Sequence, residues 1–169
     1  MLTLSAALVL CLSAQEMMDN PQYEHWKSCK PGSWVKQKMV MDTGGRVVKT
    51  VVVSTLVEVT PEKVILESKT SMDIGGKKME MPVQKKDVLA KVEKKPGQAP
   101  PSEKEEDITV DGKTYKCRSF EWEQTEKGQS MKGKGWMSPE IPGGMVKSEF
   151  TSPSLPKPMI MTLAGFEKK

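Results

Sequence analysis

Hydrophobic and polar residues alternate along most of the chain after residue 33, and this two-residue period is typical of half-buried β-strands. Short turn sequences rich in glycine separate the alternating segments, so neighbouring strands must pair antiparallel. The predicted strands cover residues 33–41, 46–59, 63–74, 77–83, 108–110, 113–124, 129–138, 145–150 and 159–166. Residues 84–93 are compatible with strand or short helix. The pattern predicts a mainly β fold, a curled antiparallel sheet or open barrel of about 8–10 strands.

The segment 15–30 predicts one N-terminal helix that covers part of the sheet. Asn20 can cap the helix, and Pro21 suits its first position because proline has no N–H to leave unpaired. Tyr23 and Trp26 recur at helical spacing, and a Pro-Gly pair follows the segment and ends it.

Residues 1–14 are uncharged and dominated by Leu, Ala and Val. A bilayer span needs about 20 such residues, so the run is too short to cross a membrane and matches the apolar core of a secretory signal. We therefore predict cleavage after Ala14, export to the periplasm or beyond, and no stable membrane span afterwards. The residues before Cys11 do not form a lipidation motif. Residues 15–169 are predicted to form one domain, with a mobile charged loop at 94–107.

Composition excludes several function classes. Lys and Arg number 26 and Asp and Glu 22, a net charge of +4 that does not favour nucleic acid as a partner. His25 is the one histidine, so a multi-histidine zinc site is impossible. No glycine-rich phosphate-binding motif occurs. The sequence therefore predicts no cofactor and no metal ion.

Two polar arrangements invite a catalytic interpretation. Glu121 and Glu123 fall on one strand face at a spacing compatible with paired glycosidase carboxylates, but a strand also needs a solvated face, and salt bridges are the simpler expectation. Ser138 lies outside any nucleophile motif, and His25 is expected on a half-buried helix. The sequence thus predicts no catalytic residue and a protein that is not an enzyme.

Methionine is the unusual feature of the composition, with 13 residues. Met39/Met41, Met79/Met81 and Met159/Met161 are spaced so that each pair shares one strand face, and Met72 falls on the corresponding face of its own strand. Thioethers can bind Cu(I), but such sites usually add His or Cys. We predict that these seven methionines line a pliable apolar cavity or core.

Cys29 and Cys117 remain after removal of residues 1–14. An even number of cysteines in an exported chain makes a disulfide between them a candidate, with two buried free thiols as the alternative.

The predicted hairpin 113–138 has a four-residue loop, Thr125 to Gly128. That loop would place Glu121 opposite Lys132, Trp122 opposite Met131 and Phe120 opposite Gly133. The two aromatic rings would share one face of the sheet and the charged residues the other.

Three segments carry a resemblance to known proteins: W-K-x-x-K-P-G-S-W-V from Trp26 to Val35, V-D-G-K-x-Y-K-C from Val110 to Cys117, and W-M-S-P-E-I-P-G-G-M-V-K from Trp136 to Lys147. They resemble a group of exported bacterial proteins of which planctomycete genomes carry many. The strand order and the S-P-E-I-P-G-G connection are also similar to the LolA-like periplasmic lipoprotein carriers. The resemblance spans about residues 20–166 and carries no catalytic motif.

The carrier resemblance implies a curled sheet that wraps a helix-covered apolar cavity, as in LolA-like or lipocalin-like folds. It also implies a hydrophobic or lipid-like ligand, such as an acyl chain, as the partner. The alternative is a structural or protein-interaction module of the cell envelope whose sheet is completely filled and binds no ligand.

N-terminal sequencing tests the export signal. Protein recovered from outside the cytoplasm of the host is expected to begin at Gln15, because the apolar run ends at Ala14. Exported protein that still begins at Met1 would contradict cleavage.

Overall fold

A computed structural model of the protein describes residues 17–93, 103–126 and 129–169. Within these ranges the elements are β1 (Met17–Asp19), α1 (Pro21–Lys27), β2 (Trp34–Asp42), β3 (Val47–Val59), β4 (Lys63–Ile74), β5 (Lys77–Glu80), β6 (Gln84–Leu89), β7 (Lys91–Glu93), β8 (Lys104–Val110), β9 (Lys113–Glu126), β10 (Gln129–Met137), β11 (Met145–Thr151) and β12 (Met159–Glu167).

Ten of these strands form one antiparallel sheet in the order β5-β4-β3-β2-β12-β11-β10-β9-β8, with β6 also paired to β4. β5 and β6 share the outer side of β4 and form one edge, while β8 forms the other. The two edges do not pair, so the sheet does not close into a barrel. The predicted mainly β fold, with a large antiparallel sheet and one short helix, is confirmed.

The sheet curls so that its two ends approach each other. Five strands separate β4 from β9, yet Leu66 of β4 and Phe120 of β9 line one cleft together with Trp26 of α1. A flat sheet would hold β4 and β9 about 29 Å apart, so the curl creates a concave face on the side of α1.

Helix α1 begins where the sequence predicts. The Asn20 side chain accepts a hydrogen bond from the Gln22 N–H at 3.0 Å and donates one to the Leu89 carbonyl at 2.8 Å. The Tyr23 hydroxyl donates to the Thr60 carbonyl at 2.8 Å. The helix is therefore joined to the β3–β4 turn and to the end of β6, which pairs with the start of β4. The helix is shorter than predicted because Met17–Asp19 pair with β7 instead.

The core lies between α1, the inner side of the sheet and the β10–β11 connection. Trp26 is 1% exposed and contacts Gly143, where any added Cβ would overlap the indole ring. Ile141 in the same connection is completely buried, as are Val64 and Val146 of the sheet. The S-P-E-I-P-G-G segment is therefore a packing element that joins the helix to the sheet.

Two regions differ from the sequence-based expectation. Residues 84–93 form two short strands, β6 and β7. Residues 104–107 belong to β8 rather than to the predicted mobile loop, because they pair with β9 from Ser119 to Lys116. Glu103 precedes β8, while residues 94–102 of that loop and the predicted signal at 1–14 lie outside the described residues.

The register of the β9–β10 hairpin corrects the predicted one by two residues. Strand pairing continues to Glu126 and Gln129, so only two residues connect the strands, a length that hairpins favour. Glu121 opposes Lys134, and Lys132 opposes Glu123. Because the shift is even, each side chain keeps its predicted face.

This register places both aromatic rings over glycines. Trp122 opposes Gly133, and Phe120 opposes Gly135. A Cβ at either glycine would overlap the opposing ring. The four-residue loop of the sequence-based prediction would have given only one ring a glycine partner, so aromatic–glycine complementarity favours the observed register.

Substitution of Gly135 tests this packing. Gly135→Val is expected to lower the free energy of unfolding by about 1–3 kcal/mol, because the new side chain would force the Phe120 ring out of its position. Lys132→Val, at an exposed position of the same strand, is expected to change it by less than about 0.5 kcal/mol. Chemical denaturation measures both, and an equal effect of the two substitutions would contradict the register.

Candidate functional site

The concave side of the sheet carries two aligned rows of residues, most of which are apolar. Strand register aligns the first row across eight strands, in the order Phe120, Gly135, Ser148, Met161, Met39, Thr50, Met72 and Met79. The second row contains Trp122, Gly133, Phe150 and Met159 at one end and Met41, Val48 and Ile74 at the other. We call the surface formed by the two rows the methionine face.

Six of the seven methionines predicted to line a cavity lie on the methionine face. Met39, Met41, Met72, Met159 and Met161 are half-buried, whereas Met79 is 39% exposed at the β5 edge. Met81 follows the end of β5, where its N–H donates to the Thr70 carbonyl at 2.8 Å, and its side chain is 43% exposed. The structure thus groups the predicted residues, with Met79 and Met81 at the rim.

A cleft of about 410 Å³ lies between α1 and the concave side of the sheet. This volume is in the range of small-molecule sites in other proteins. Its lining includes Trp26, Val35, Leu66, Phe120, Met137, Met145 and Met161 together with the polar residues Asn20, Gln22, Gln37 and Ser54. No Asp, Glu, Lys, Arg or His lines the cleft, so its polar groups are all neutral.

Burial changes along the concave face with distance from the helix. Val35, Leu56 and Leu66 are buried under α1, whereas Met39 and Met72, farther along the same strands, are only half-buried. A seven-residue helix is about 10 Å long and covers only part of a ten-stranded sheet. Within the described residues no other helix covers the methionine face.

The convex side of the β8–β10 region holds a polar network around Glu106. Its carboxylate accepts hydrogen bonds from the Ser119 hydroxyl at 2.7 Å, the Lys134 ammonium group at 2.9 Å and the Trp136 indole N–H at 3.0 Å. The Trp136, Ser119 and Lys134 donors lower the pKa of Glu106 to about 2. The hydrogen bond to Glu106 raises the pKa of Lys134.

The Glu106 network is unsuited to proton transfer near neutral pH. A carboxylate held by three donors is a weak base, and a lysine with a raised pKa stays protonated. The ammonium groups of Lys134 and Lys147 also lie 4.9 Å and 5.0 Å from the centre of the Trp136 ring. These contacts indicate a stabilising role, in which β8 is fixed to β9 and β10.

The other polar candidates are dispersed. Glu121 and Glu123 pair with Lys134 at 3.8 Å and Lys132 at 3.5 Å on the convex side, as expected for a solvated face. These ion pairs surround a second cavity of about 450 Å³, whose charges are largely matched. His25 contacts Gly144, and burial lowers the pKa of its imidazole.

Ser138 is 1% exposed in the β10–β11 connection, and its hydroxyl has no hydrogen-bond partner within the described part of the chain. Its position in the packed core, away from the cleft lining, places it outside the site.

The two cysteines are buried free thiols, and the predicted disulfide between Cys29 and Cys117 is not supported. The Cys29 thiol donates to the His25 carbonyl at 3.5 Å, and the Cys117 thiol donates to the Tyr115 carbonyl at 3.5 Å. Burial raises the pKa of Cys117 to about 11. Each thiol therefore packs as a small apolar group in the core.

Within the described ranges, no group of three or more His, Cys, Asp or Glu residues lies close enough together to hold a metal ion. No helix in these ranges has the length and apolar character needed to cross a bilayer.

The fold and cleft define a mainly β protein with a curled, open sheet and a helix across its concave side. Comparison with protein-family models and with curated protein sequences finds no match. A solved structure from Bacteroides fragilis NCTC 9343 is similar in fold, with a TM-score of 0.51 and 11% sequence identity. The similarity covers 83% of this chain and 97% of that chain, which is provisionally described as an exported protein with a YmcC-like fold.

At this identity the similarity shows the fold alone. The predicted likeness to LolA-like carriers is not confirmed, and the fold that the comparison finds is the YmcC-like one.

Sequence reasoning missed the aromatic and polar parts of the candidate site. Phe120, Trp122 and Phe150 join the methionines only through strand register, and the Trp122 and Phe150 rings are 5.8 Å apart. The sequence signal was the spacing of Gly133 and Gly135 against two aromatic residues at the same interval in the preceding strand. Gln37 and Ser54 carried no such signal, because their position under α1 depends on the packed fold.

Acid titration tests the Glu106 network. Because the pKa of Glu106 is about 2 in the folded protein and about 4.5 ordinarily, its stabilising effect is complete above pH 4.5 and is lost as the pH falls towards 2. Glu106→Gln is expected to lower the stability of the fold at pH 7. The loss of stability between about pH 5 and 2 is also expected to be smaller than in the wild type. Thermal unfolding across this range measures both effects. Glu105→Gln, at an exposed position next to it, should leave the wild-type profile intact, and identical profiles for the two variants would contradict the network.

Proposed function

We propose that this is an exported, non-catalytic β-rich protein that binds a lipid-like amphiphile on its concave side. The apolar chain of the ligand lies on the methionine face, and a neutral polar group lies in the cleft beside α1. The observation that carries the proposal is the continuity of an uncharged cleft with a half-buried apolar surface that no described helix covers.

The chemistry of the lining favours an amphiphile over a charged ligand. The polar groups of the cleft are amides and hydroxyls, which form hydrogen bonds with a neutral group but do not balance a buried charge. The Ser54 and Ser68 hydroxyls already bond each other at 3.1 Å, and Gln37 reaches the Met145 carbonyl at 3.5 Å. An ester, amide or hydroxyl end group matches these donors and acceptors.

Methionine is well suited to the apolar part of such a site. Its unbranched thioether side chain adapts to chains of different shape at low energetic cost. The glycines opposite Phe120 and Trp122 let these rings lie against the neighbouring strand. A Cu(I) site would need stronger ligands beside the thioethers, and Cys117, in the core, is not on this face.

Export is part of the same proposal. The apolar residues 1–14 have the pattern of a secretory signal, and the protein of similar fold is itself described as exported. A carrier or receptor for an insoluble amphiphile is useful in an aqueous compartment between or outside membranes.

Ligand binding is tested with a matched pair of substitutions on β2. Met39 lies on the methionine face opposite Met161, whereas the next residue, Val40, lies on the convex side opposite Ile160. Met39→Glu is expected to weaken binding of an uncharged fluorescent probe, the methyl ester of cis-parinaric acid, at least about tenfold, because a carboxylate there would lose hydration beside the bound chain. Val40→Glu is expected to leave affinity within about twofold, since Val40 is 44% exposed.

Thermal unfolding of both variants serves as the control for folding. Wild-type protein that binds no probe, or two variants with equal affinity, would overturn the proposal. That outcome would leave the cell-envelope structural or interaction module as the better function.

A further inference from the structure

An exposed basic and apolar segment forms one edge of the sheet. It includes β5, the residues Met81 to Val83 and the first part of β6, and we call it the basic edge. Every residue from Gly75 to Asp87 is exposed. The segment 77–86 contains four lysines and one carboxylate, so most of the net charge of +4 is concentrated here.

The lysines of the basic edge are Lys77, Lys78, Lys85 and Lys86. Among the described residues none of their ammonium groups has a carboxylate within ion-pair distance. Asp87, which follows them, is instead bound to Lys63 at 2.6 Å. The positive charge is therefore available to an anionic partner.

Apolar side chains lie between the two lysine pairs. Met79 is 39% exposed, Met81 43% and Val83 53%. Basic residues around exposed apolar ones are the composition that binds an anionic lipid interface, since the charges attract head groups and the apolar groups enter the boundary region. A purely polyanionic partner would use the lysines and leave the apolar groups in water.

The shape of this edge disfavours strand addition by another protein. Pro82 has no N–H, and strand pairing stops between Glu80 and Gln84. A partner strand would need a continuous row of donors and acceptors. Binding to a lipid surface does not require such a row of donors and acceptors.

The position of the basic edge relates it to the candidate site. The row that contains Met39, Thr50 and Met72 ends at Met79, which belongs to the basic edge. A surface that contacts this edge therefore meets the open end of the methionine face.

We propose that the basic edge docks on anionic membrane surfaces and brings the end of the methionine face to the lipid boundary. The docking follows from the lysines and exposed apolar residues. Transfer of an amphiphile across this contact rests on the proposed function.

Vesicle co-sedimentation of the full chain tests the docking. Vesicles of phosphatidylcholine alone are compared with vesicles of phosphatidylcholine and phosphatidylglycerol at a ratio of about 3:1, in low and high salt. The wild-type protein is expected to bind the anionic vesicles at least about tenfold better and to lose this preference in high salt, since the salt screens the lysines.

Charge reversal identifies the surface responsible. Lys77→Glu/Lys78→Glu is expected to reduce binding to the anionic vesicles at least about tenfold, because each lysine near the surface contributes about fivefold. The matched control Lys30→Glu/Lys116→Glu changes the same charge at two exposed positions elsewhere and is expected to leave binding within about threefold. Met79→Ser/Met81→Ser, which keeps the charge, should weaken binding severalfold.

Several results would overturn the docking proposal. These are equal binding to neutral and anionic vesicles, equal effects of the two double charge reversals, or binding to soluble polyglutamate but not to vesicles. If residues 1–14 attached the chain to the vesicles, all variants would bind alike. The two double charge reversals would then have equal effects.

The experiments distinguish a failure of the docking proposal from a failure of the proposed function. Lys77→Glu/Lys78→Glu should still bind the methyl ester of cis-parinaric acid in solution, and Met39→Glu should still bind anionic vesicles. Loss of vesicle binding with intact probe binding in the wild type would overturn the docking alone.

Discussion

The packing of α1 against the concave side of the sheet is the interaction on which the rest of the structure depends. Trp26 fills the space between the strands and the β10–β11 connection and is 1% exposed, in contact with Gly143. Truncation of tryptophans buried to this extent costs about 3–5 kcal/mol in other proteins. The cap at Asn20 and the Tyr23 hydroxyl fix the helix to the turns around β4 and β6, so helix and sheet hold each other in place.

The short length of this helix also creates the candidate site. A longer helix would bury the whole concave side and give a filled core, whereas seven residues leave the methionine face half-buried. The apolar surface beyond α1 contributes less to folding than the same residues would if they were buried. That unfilled surface is the basis of the proposed ligand site, and the neutral lining of the adjoining cleft favours an uncharged group in the proposed ligand.

Charged residues have a different role on the two ends of the sheet. Around Glu106 they are matched by partners and stabilise the junction of β8 with β9 and β10. At the basic edge the lysines have no such partners among the described residues, so they add little to folding and remain available for recognition. The same residue types therefore separate into a paired, structural group and an unpaired group, for which we propose a role in membrane docking.

The sequence by itself determined most of the strands and turns, the cap of α1 and the shared face of the pairs Met39/Met41 and Met159/Met161 within their strands. These features are local, because a two-residue period and a capping residue depend only on near neighbours along the chain. The β9–β10 prediction shows the limit of this reasoning. A register error of two residues left every face correct but gave Glu121 and Lys132 the wrong partners.

Only the tertiary structure decided which strands become neighbours and which side of the sheet is concave. The pairing of β12 with β2 joins residues more than 100 positions apart, and β8 extends to residues 104–107 because β9 offers free donors and acceptors there. The network that links Glu106 to Trp136 and the cleft between α1 and Phe120 arise in the same way. Such contacts depend on complementary shapes and charges brought together from distant parts of the chain, which no local pattern of hydrophobic and polar residues contains.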